Sequence, residues 1–182
     1  MKTVKGLLTV TLFLVLLFTA AIPVQALPLA QIRADSYHLS YNIQLAEDVQ
    51  FLTLNWDMGI NNNIGVRAGY IYTGKDANYL DLLLKFKAFE DQKLTLSGSL
   101  GLHGSFDTGE NERSMGVIFN HSYSQELDLM GSLYALWGED RNMGWSVGTS
   151  YHITPTSSLQ VGMRSMAGGQ GAGLLLGLVT EL

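Results

Sequence analysis

The chain has 182 residues, a formal net charge of −5 and no cysteine. Its 11 Lys and Arg are too few and too scattered to form a basic patch, which excludes nucleic acid as a partner. Without thiols there are no disulfides, no cysteine-ligated metal and no cysteine to carry a lipid anchor, so an exported form must be held together by other means.

The first 26 residues, MKTVKGLLTVTLFLVLLFTAAIPVQA, have the three-part layout of a cleaved secretory signal. Lys2 and Lys5 supply the basic start, Leu7 to Ile22 the apolar run, and Val24-Gln25-Ala26 the small-residue cleavage site. Removing them leaves a domain-sized chain, made more acidic because only two lysines are lost. Residues 27–35 form a short segment ahead of the first regular element.

From Ser36 to Leu45 polar and apolar residues alternate without a break: Ser36, His38, Ser40, Asn42 and Gln44 against Tyr37, Leu39, Tyr41, Ile43 and Leu45. Period two marks a strand with two unlike faces. The pattern returns in segments divided by short polar turns, predicting strands at 36–46, 49–60, 63–74, 77–89, 93–104, 112–123, 126–138, 142–153, 157–167 and 171–182. The turn signals are AED, NNN, GKDA, EDQ, SFDTGENE, SQE, GEDRN, TPTS and AGGQ, clusters of the residues that reverse a chain. Connections this short make each strand antiparallel to the next.

The apolar face, as in Leu52, Leu54, Trp56, Met58 and Ile60, is expected to be free of Asp, Glu, Lys and Arg. Three features turn it toward lipid instead of a dry core. The polar face is rich in Gly and Ser, which suit a narrow lumen and are poor strand formers in open water. The aromatics sit near strand ends: Trp56 and Tyr123 toward one rim, Tyr72, Trp137 and Trp145 toward the other, with aliphatic residues between, as two lipid–water interfaces select. The strand count is even and the last strand runs to Leu182, which suits a closed ring with no unpaired edge. The expected fold is all-β: a transmembrane, antiparallel, up-and-down β-barrel spanning 36–182, of about ten strands, with eight longer strands as the alternative.

Over residues 36–182 the chain resembles the small bacterial outer-membrane β-barrels. That resemblance implies a bacterial outer-membrane location, lipid around the wall, insertion by the barrel-assembly machinery, a monomer, and residues 27–35 in the periplasm. It also implies that NNN, EDQ, SQE and TPTS face the periplasm while AED, GKDA, SFDTGENE, GEDRN and AGGQ face outward. The last strand resembles the family's assembly signal at Leu174, Leu176 and Leu178, and departs from it at Leu182, where the family carries Phe or Trp.

Inward positions include Asp57, Arg67, Asp81, Lys85, Lys87, Asp128, Arg164 and Glu181, four charges of each sign. A hairpin centred on Asn62 sets Asp57 opposite Arg67, and confined charges must be paired or solvated. Phe51, Tyr79, Leu83, Tyr134 and Leu136 also point inward and take up space, so ten strands predict a narrow lumen with little or no steady conductance.

For catalysis the candidate constellation is His103, Ser105 and Asp107, on one face if the strand continues. His-x-Ser resembles the pair in lipid A deacylases, but there the pair faces lipid and here it faces the lumen. His121 falls on the apolar face at the periplasmic rim, and His38 and His152 point inward near the same rim, His38 close to Glu181 across the seam. Asp107, Glu110 and Glu112 match no calcium loop, and GGQGAG at 168–173 precedes no helix, which removes a phosphate-binding reading. No cofactor, metal or catalytic residue is assigned. The function expected is a non-enzymatic outer-membrane barrel with a structural, envelope or small-solute role; the alternative is a lipid-modifying barrel enzyme.

Overall fold

The computed structural model describes residues 27, 29–45, 50–73, 78–109, 111–138, 141–165 and 172–182. Residues 1–26, where the signal sequence is expected, Pro28, Glu110 and the centres of the AED, GKDA, GEDRN and AGGQ connections lie outside them. Ten strands form: β1 (Tyr37–Leu45), β2 (Gln50–Gly59), β3 (Ile64–Tyr72), β4 (Asn78–Glu90), β5 (Leu94–Ser105), β6 (Asn111–Ser122), β7 (Leu127–Trp137), β8 (Arg141–Thr154), β9 (Ser157–Ser165) and β10 (Ala172–Glu181). Each lies within two residues of its expected span. They close into one antiparallel barrel in sequence order, which removes the eight-strand alternative.

Closure is made at the β1–β10 seam, where His38 pairs with Glu181 and the register continues to Leu45 opposite Leu174. The Leu182 backbone N–H extends it, donating to the Tyr37 carbonyl at 2.9 Å. No strand is left with an unpaired edge, as hydrocarbon surroundings require.

Alternation sorts the side chains as the composition demands. Leu82, Leu84, Phe86, Leu100, Leu102, Val117, Leu133 and Val147 are exposed on the outside, while Ser40, Asn42, Gln44, Thr53, Asn55, Ser97, Asn120 and Gln160 are buried within. Two outward glycines lie under aromatic rings of the paired strand. Phe86 covers Gly98 and Phe119 covers Gly131, so that a Cβ at Gly98 would come within 2.2 Å of the ring. The apolar face is not wholly uncharged: Arg113 stands exposed on it, opposite Trp137 at the rim where β6 begins. An arginine at that depth reaches headgroup and water with its guanidinium while its stem stays in the apolar layer.

Two register shifts interrupt the ladders, in β4 between Lys87 and Phe89 and in β8 between His152 and Thr154. Each inserts one residue, and the first returns Phe89 to the lipid face, where strict alternation would have turned it inward.

At the end where β1 begins and β10 finishes, each of the four connections is tied by a side-chain acceptor. Asn61 Oδ1 accepts from Asn63 N and Ile64 N, both at 2.8 Å, and Asp91 Oδ1 accepts from Lys93 N and Leu94 N, both at 2.7 Å. Ser124 Oγ accepts from Glu126 N and Leu127 N, and Thr154 Oγ1 from Thr156 N. These short polar residues imitate a backbone turn, which explains why this end needs so few residues per reversal.

The backbone N–H groups of Leu94 and then Lys93 hold the Asp91 carboxyl below the ordinary carboxylate value. A depressed value means that its contribution is present above the unfolded-state pKa and is lost as pH falls through the folded one. Asp91→Ala is therefore expected to lower the urea midpoint at neutral pH, with the gap to the wild-type chain closing on acidification; a gap independent of pH would show that the ionised carboxylate contributes nothing.

Candidate functional site: the occluded lumen

The inward charges do not gather into one cluster. Asp57 on β2, Arg67 on β3 and Lys85 on β4 form a buried group on one side of the wall. Asp57 and Arg67 are direct register partners, and Arg67 Nε donates to both carboxylate oxygens at 3.1 and 3.0 Å. Arg67 Nη2 lies 2.9 Å from Oδ2 but off the hydrogen-bonding axis. Lys85 Nζ closes on the other oxygen, Oδ1. Lys85 reaches Asp57 past the intervening strand, and the three side chains are almost wholly shielded from solvent.

The remaining charges pair separately. Asp81 binds the Nδ1 of His103, its direct partner across β4 and β5, and the His103 ring stacks on Tyr79 at 4.7 Å. Lys87 meets Glu90 beside the β4 bulge at 2.6 Å. Arg164 donates to the Tyr134 hydroxyl at 3.2 Å and lies over that ring. Asp128 Oδ2 lies 3.0 Å from His152 Nε2, whose Nδ1 lies 2.8 Å from Ser158 Oγ. Glu181 faces His38 in the seam register. Trp56, Tyr72, Tyr123, Trp137 and Trp145 are all exposed on the outward face, and Tyr37 stacks on Trp56.

The lumen also holds something that alternation did not foretell. The family resemblance set residues 27–35 in the periplasm as a short segment ahead of the barrel; Leu27 and residues 29–32 run inside the barrel. The turn Arg33–Ser36, with Asp35 in the left-handed region at φ 57°, reverses the chain at the mouth. There Ala34 N donates to Asn62 Oδ1 at 3.1 Å and Asp35 N to the Gly59 carbonyl at 3.2 Å. Beyond the turn, Ala30 N donates to Asn120 Oδ1 at 2.7 Å and its carbonyl accepts from Ser97 Oγ at 2.6 Å. Lys85 Nζ donates to the Leu29 carbonyl at 3.2 Å, and Leu27 N donates to Gln160 Oε1 at 3.2 Å.

Four strands, β4, β5, β6 and β9, thus hold the segment by side chains. Leu27 packs with Met130 and Leu175 in a small apolar cluster that Leu29 and Ile43 extend. The crevice between segment and wall, bounded by Gln31, Ile32, His38, Asp57 and Lys85, is closed to a water-sized sphere.

The balance that holds the segment is fine. Burying Leu27 and Ile32 contributes roughly 3–6 kcal/mol together, and the four hydrogen bonds about 4 kcal/mol. Ordering the backbone of Leu27 and residues 29–32 costs roughly 5–10 kcal/mol. The terms cancel to within a few kcal/mol, so the segment is seated without being locked.

A signal for it does exist in the sequence. Leu27, Leu29, Ala30 and Ile32 are too apolar for a free linker, and Ile71, Ile118, Met130, Leu175 and Val179 are buried apolar residues on the otherwise polar inward face. Each half of this pattern needs the other.

No protein-family model matches the chain, and no curated protein matches it in sequence. Solved structures do match. The NanC porin aligns with a TM-score of 0.56 at 11% identity, over 80% of this chain and 100% of that one. The fold is that of the small outer-membrane β-barrels. The KdgM porin aligns at 0.55 and 9% identity, over 81% of this chain and 99% of that one. A barrel from the de novo design of transmembrane β-barrels aligns at 0.50 and 10%, over 84% and 99%. Identity this low speaks for shared architecture alone.

The His103–Ser105–Asp107 constellation does not assemble into a relay. His103 turns its Nδ1 to Asp81, Ser105 Oγ accepts from Thr108 N at 3.1 Å, and Asp107 Oδ2 accepts from Asn78 N at 2.6 Å. His121 lies at the rim opposite Leu94. Of the loop acids, Asp107 ties the outer end of β4, Glu112 faces His103 in register, and Glu110 lies outside the described residues. Among the described residues no three His, Cys, Asp or Glu converge as metal ligands.

Removing one member of a buried ion group strands the others. Asp57→Ala leaves Arg67 and Lys85 buried without an anion and is expected to destabilise the barrel by about 3–5 kcal/mol. Lys85→Met leaves the Asp57–Arg67 pair intact and should cost less. Urea unfolding in lipid vesicles measures both; equal losses would mean that the carboxylate is not the centre of the group.

Proposed function

We propose that this protein is a non-enzymatic, monomeric barrel of the bacterial outer membrane, closed at rest, with an envelope-maintenance or restricted small-solute role. The observation that carries the reading is a lumen filled from the wall by Phe51, Ile71, Ile118, Met130 and Leu175 and from within by Leu27 and residues 29–32. Ten strands leave little more than side-chain room to begin with. Lipid against the outward face and the barrel-assembly machinery, reading Leu174, Leu176 and Leu178, are the partners that go with it.

The enzymatic alternative is disfavoured on physical grounds. Asp128, His152 and Ser158 do form a hydrogen-bonded chain, but they sit on paired strands whose ladder engages most of the surrounding backbone N–H groups. Among the described residues no preorganised pair of donors is seen beside Ser158 to hold an oxyanion, the largest single contribution to acyl transfer. The chain reads as a polar closure of the barrel mouth.

Two measurements test the proposal. Planar bilayers containing the purified protein should show no steady conductance; large stable pores would overturn it. A fluorophosphonate probe should leave both Ser105 and Ser158 unlabelled, and labelling that disappears in Ser158→Ala or Ser105→Ala would establish the enzymatic reading instead.

A further inference from the structure

We infer that Arg113, set between Leu102 and Trp137 on the outer wall, docks the phosphate of an anionic lipid headgroup. The inference deepens the membrane-barrel reading above and rests on it.

The lipid-facing side of the wall is apolar almost throughout, and a guanidinium there needs an acceptor. Arg113 is exposed on that side and stands in register between Leu102 of β5 and Trp137 of β7. Its next neighbour on the same face of β6 is Met115, half exposed. None of these side chains can satisfy a cation. Among the described residues the ion pairs are made by Asp57, Asp81, Glu90 and Asp128, and Arg113 takes part in none of them. Glu112, the adjacent acid, is the register partner of His103 on the opposite face.

The wall also treats its two ends differently. Trp137 has Arg113 as its register partner on β6 and Arg141 as its partner on β8, so a single row at this rim carries two basic residues about one indole. The rows at the end where β1 begins pair Tyr37 with Met58, Leu94 with His121 and Leu127 with Tyr151, and contain no lysine or arginine. A wall that needed basic residues only to mark an interface would place them at both rims. Their confinement to one rim selects a lipid of one leaflet.

Recognition follows from shape and charge. A guanidinium presents its N–H groups as a planar fork that matches two phosphate oxygens, and it sheds its hydration more readily than an ammonium. Leu102 and Trp137 supply the amphipathic border on which the lipid's acyl chains and headgroup meet. Two basic positions suit a phosphate that carries net negative charge; a zwitterionic headgroup brings its own ammonium and has less to gain.

The test is lipid retention by the folded full-length protein, read by native mass spectrometry in neutral detergent. Diphosphoryl lipid A is titrated against the same lipid with its phosphates removed. The phosphorylated form is expected to be retained more tightly, and Arg113→Leu to weaken its retention about fivefold, the effect of one basic residue at a membrane surface. Arg33→Leu, which removes a cation at the opposite mouth, should leave retention unchanged. Equal retention of the two lipids by the unaltered chain overturns the proposal without recourse to any variant. Undiminished retention by Arg113→Leu, or an equal loss in Arg33→Leu, also overturns it. Heat-modifiable migration and insertion into vesicles are followed in parallel: a chain that fails to insert sinks the membrane-barrel reading itself, whereas one that inserts without preferring the phosphate sinks only the docking surface.

Discussion

A polypeptide wall standing in hydrocarbon has nowhere to send an unmatched N–H or carbonyl, and that constraint governs the rest of the molecule. It demands a ring and not a sheet, and so makes the pairing of β1 with β10 as obligatory as any hairpin. Once the ring closes, period two sorts every side chain to lipid or to the lumen, and the two environments could hardly differ more. The outside accepts Leu, Val and Phe without complementarity. The inside is small enough that each group must be bonded or displaced.

The interior meets that demand by distribution. Instead of one charged belt, most of the inward charges settle into separate pairs: Asp81 with His103, Asp128 with His152, Lys87 with Glu90. Only the Asp57 group is larger, and it is also the one that reaches the inner segment, through Lys85. A single ammonium therefore joins the wall's ion pairing to the filling of its bore. That coupling makes the inner segment, through the Leu29 carbonyl, part of the electrostatics of the barrel and more than a space-filler.

Much of this was legible in the sequence, and what was not has physical reasons. Alternation located every strand because one face is overwhelmingly apolar, and the pairing of Asp57 with Arg67 followed from a tight turn centred on Asn62. The partner of His103 was not visible along the chain because Asp81 meets it across the ladder, whereas Asp107 lies four residues further on; register partners stand closer than residues spaced along one strand. Arg113 was overlooked on the apolar face because periodicity does not report depth, and at a rim an arginine is tolerated. The inner segment escaped notice for a different reason. Four apolar residues within 27–32 are too few to show a period, and the inward apolar residues that receive them look like isolated exceptions until the ring is closed around them.

The irregularities in β4 and β8 bear on how such a ring can close at all. Nine of the ten strand pairings have their offset chosen locally, by the connection that joins the two strands. The tenth has no connection of its own and inherits the running total of the other nine. The extra residues beside Lys87 and His152 each add one step to that count. They act as spacers in a tally that must come out whole, so their length is a property of the circumference and not of the strands in which they lie.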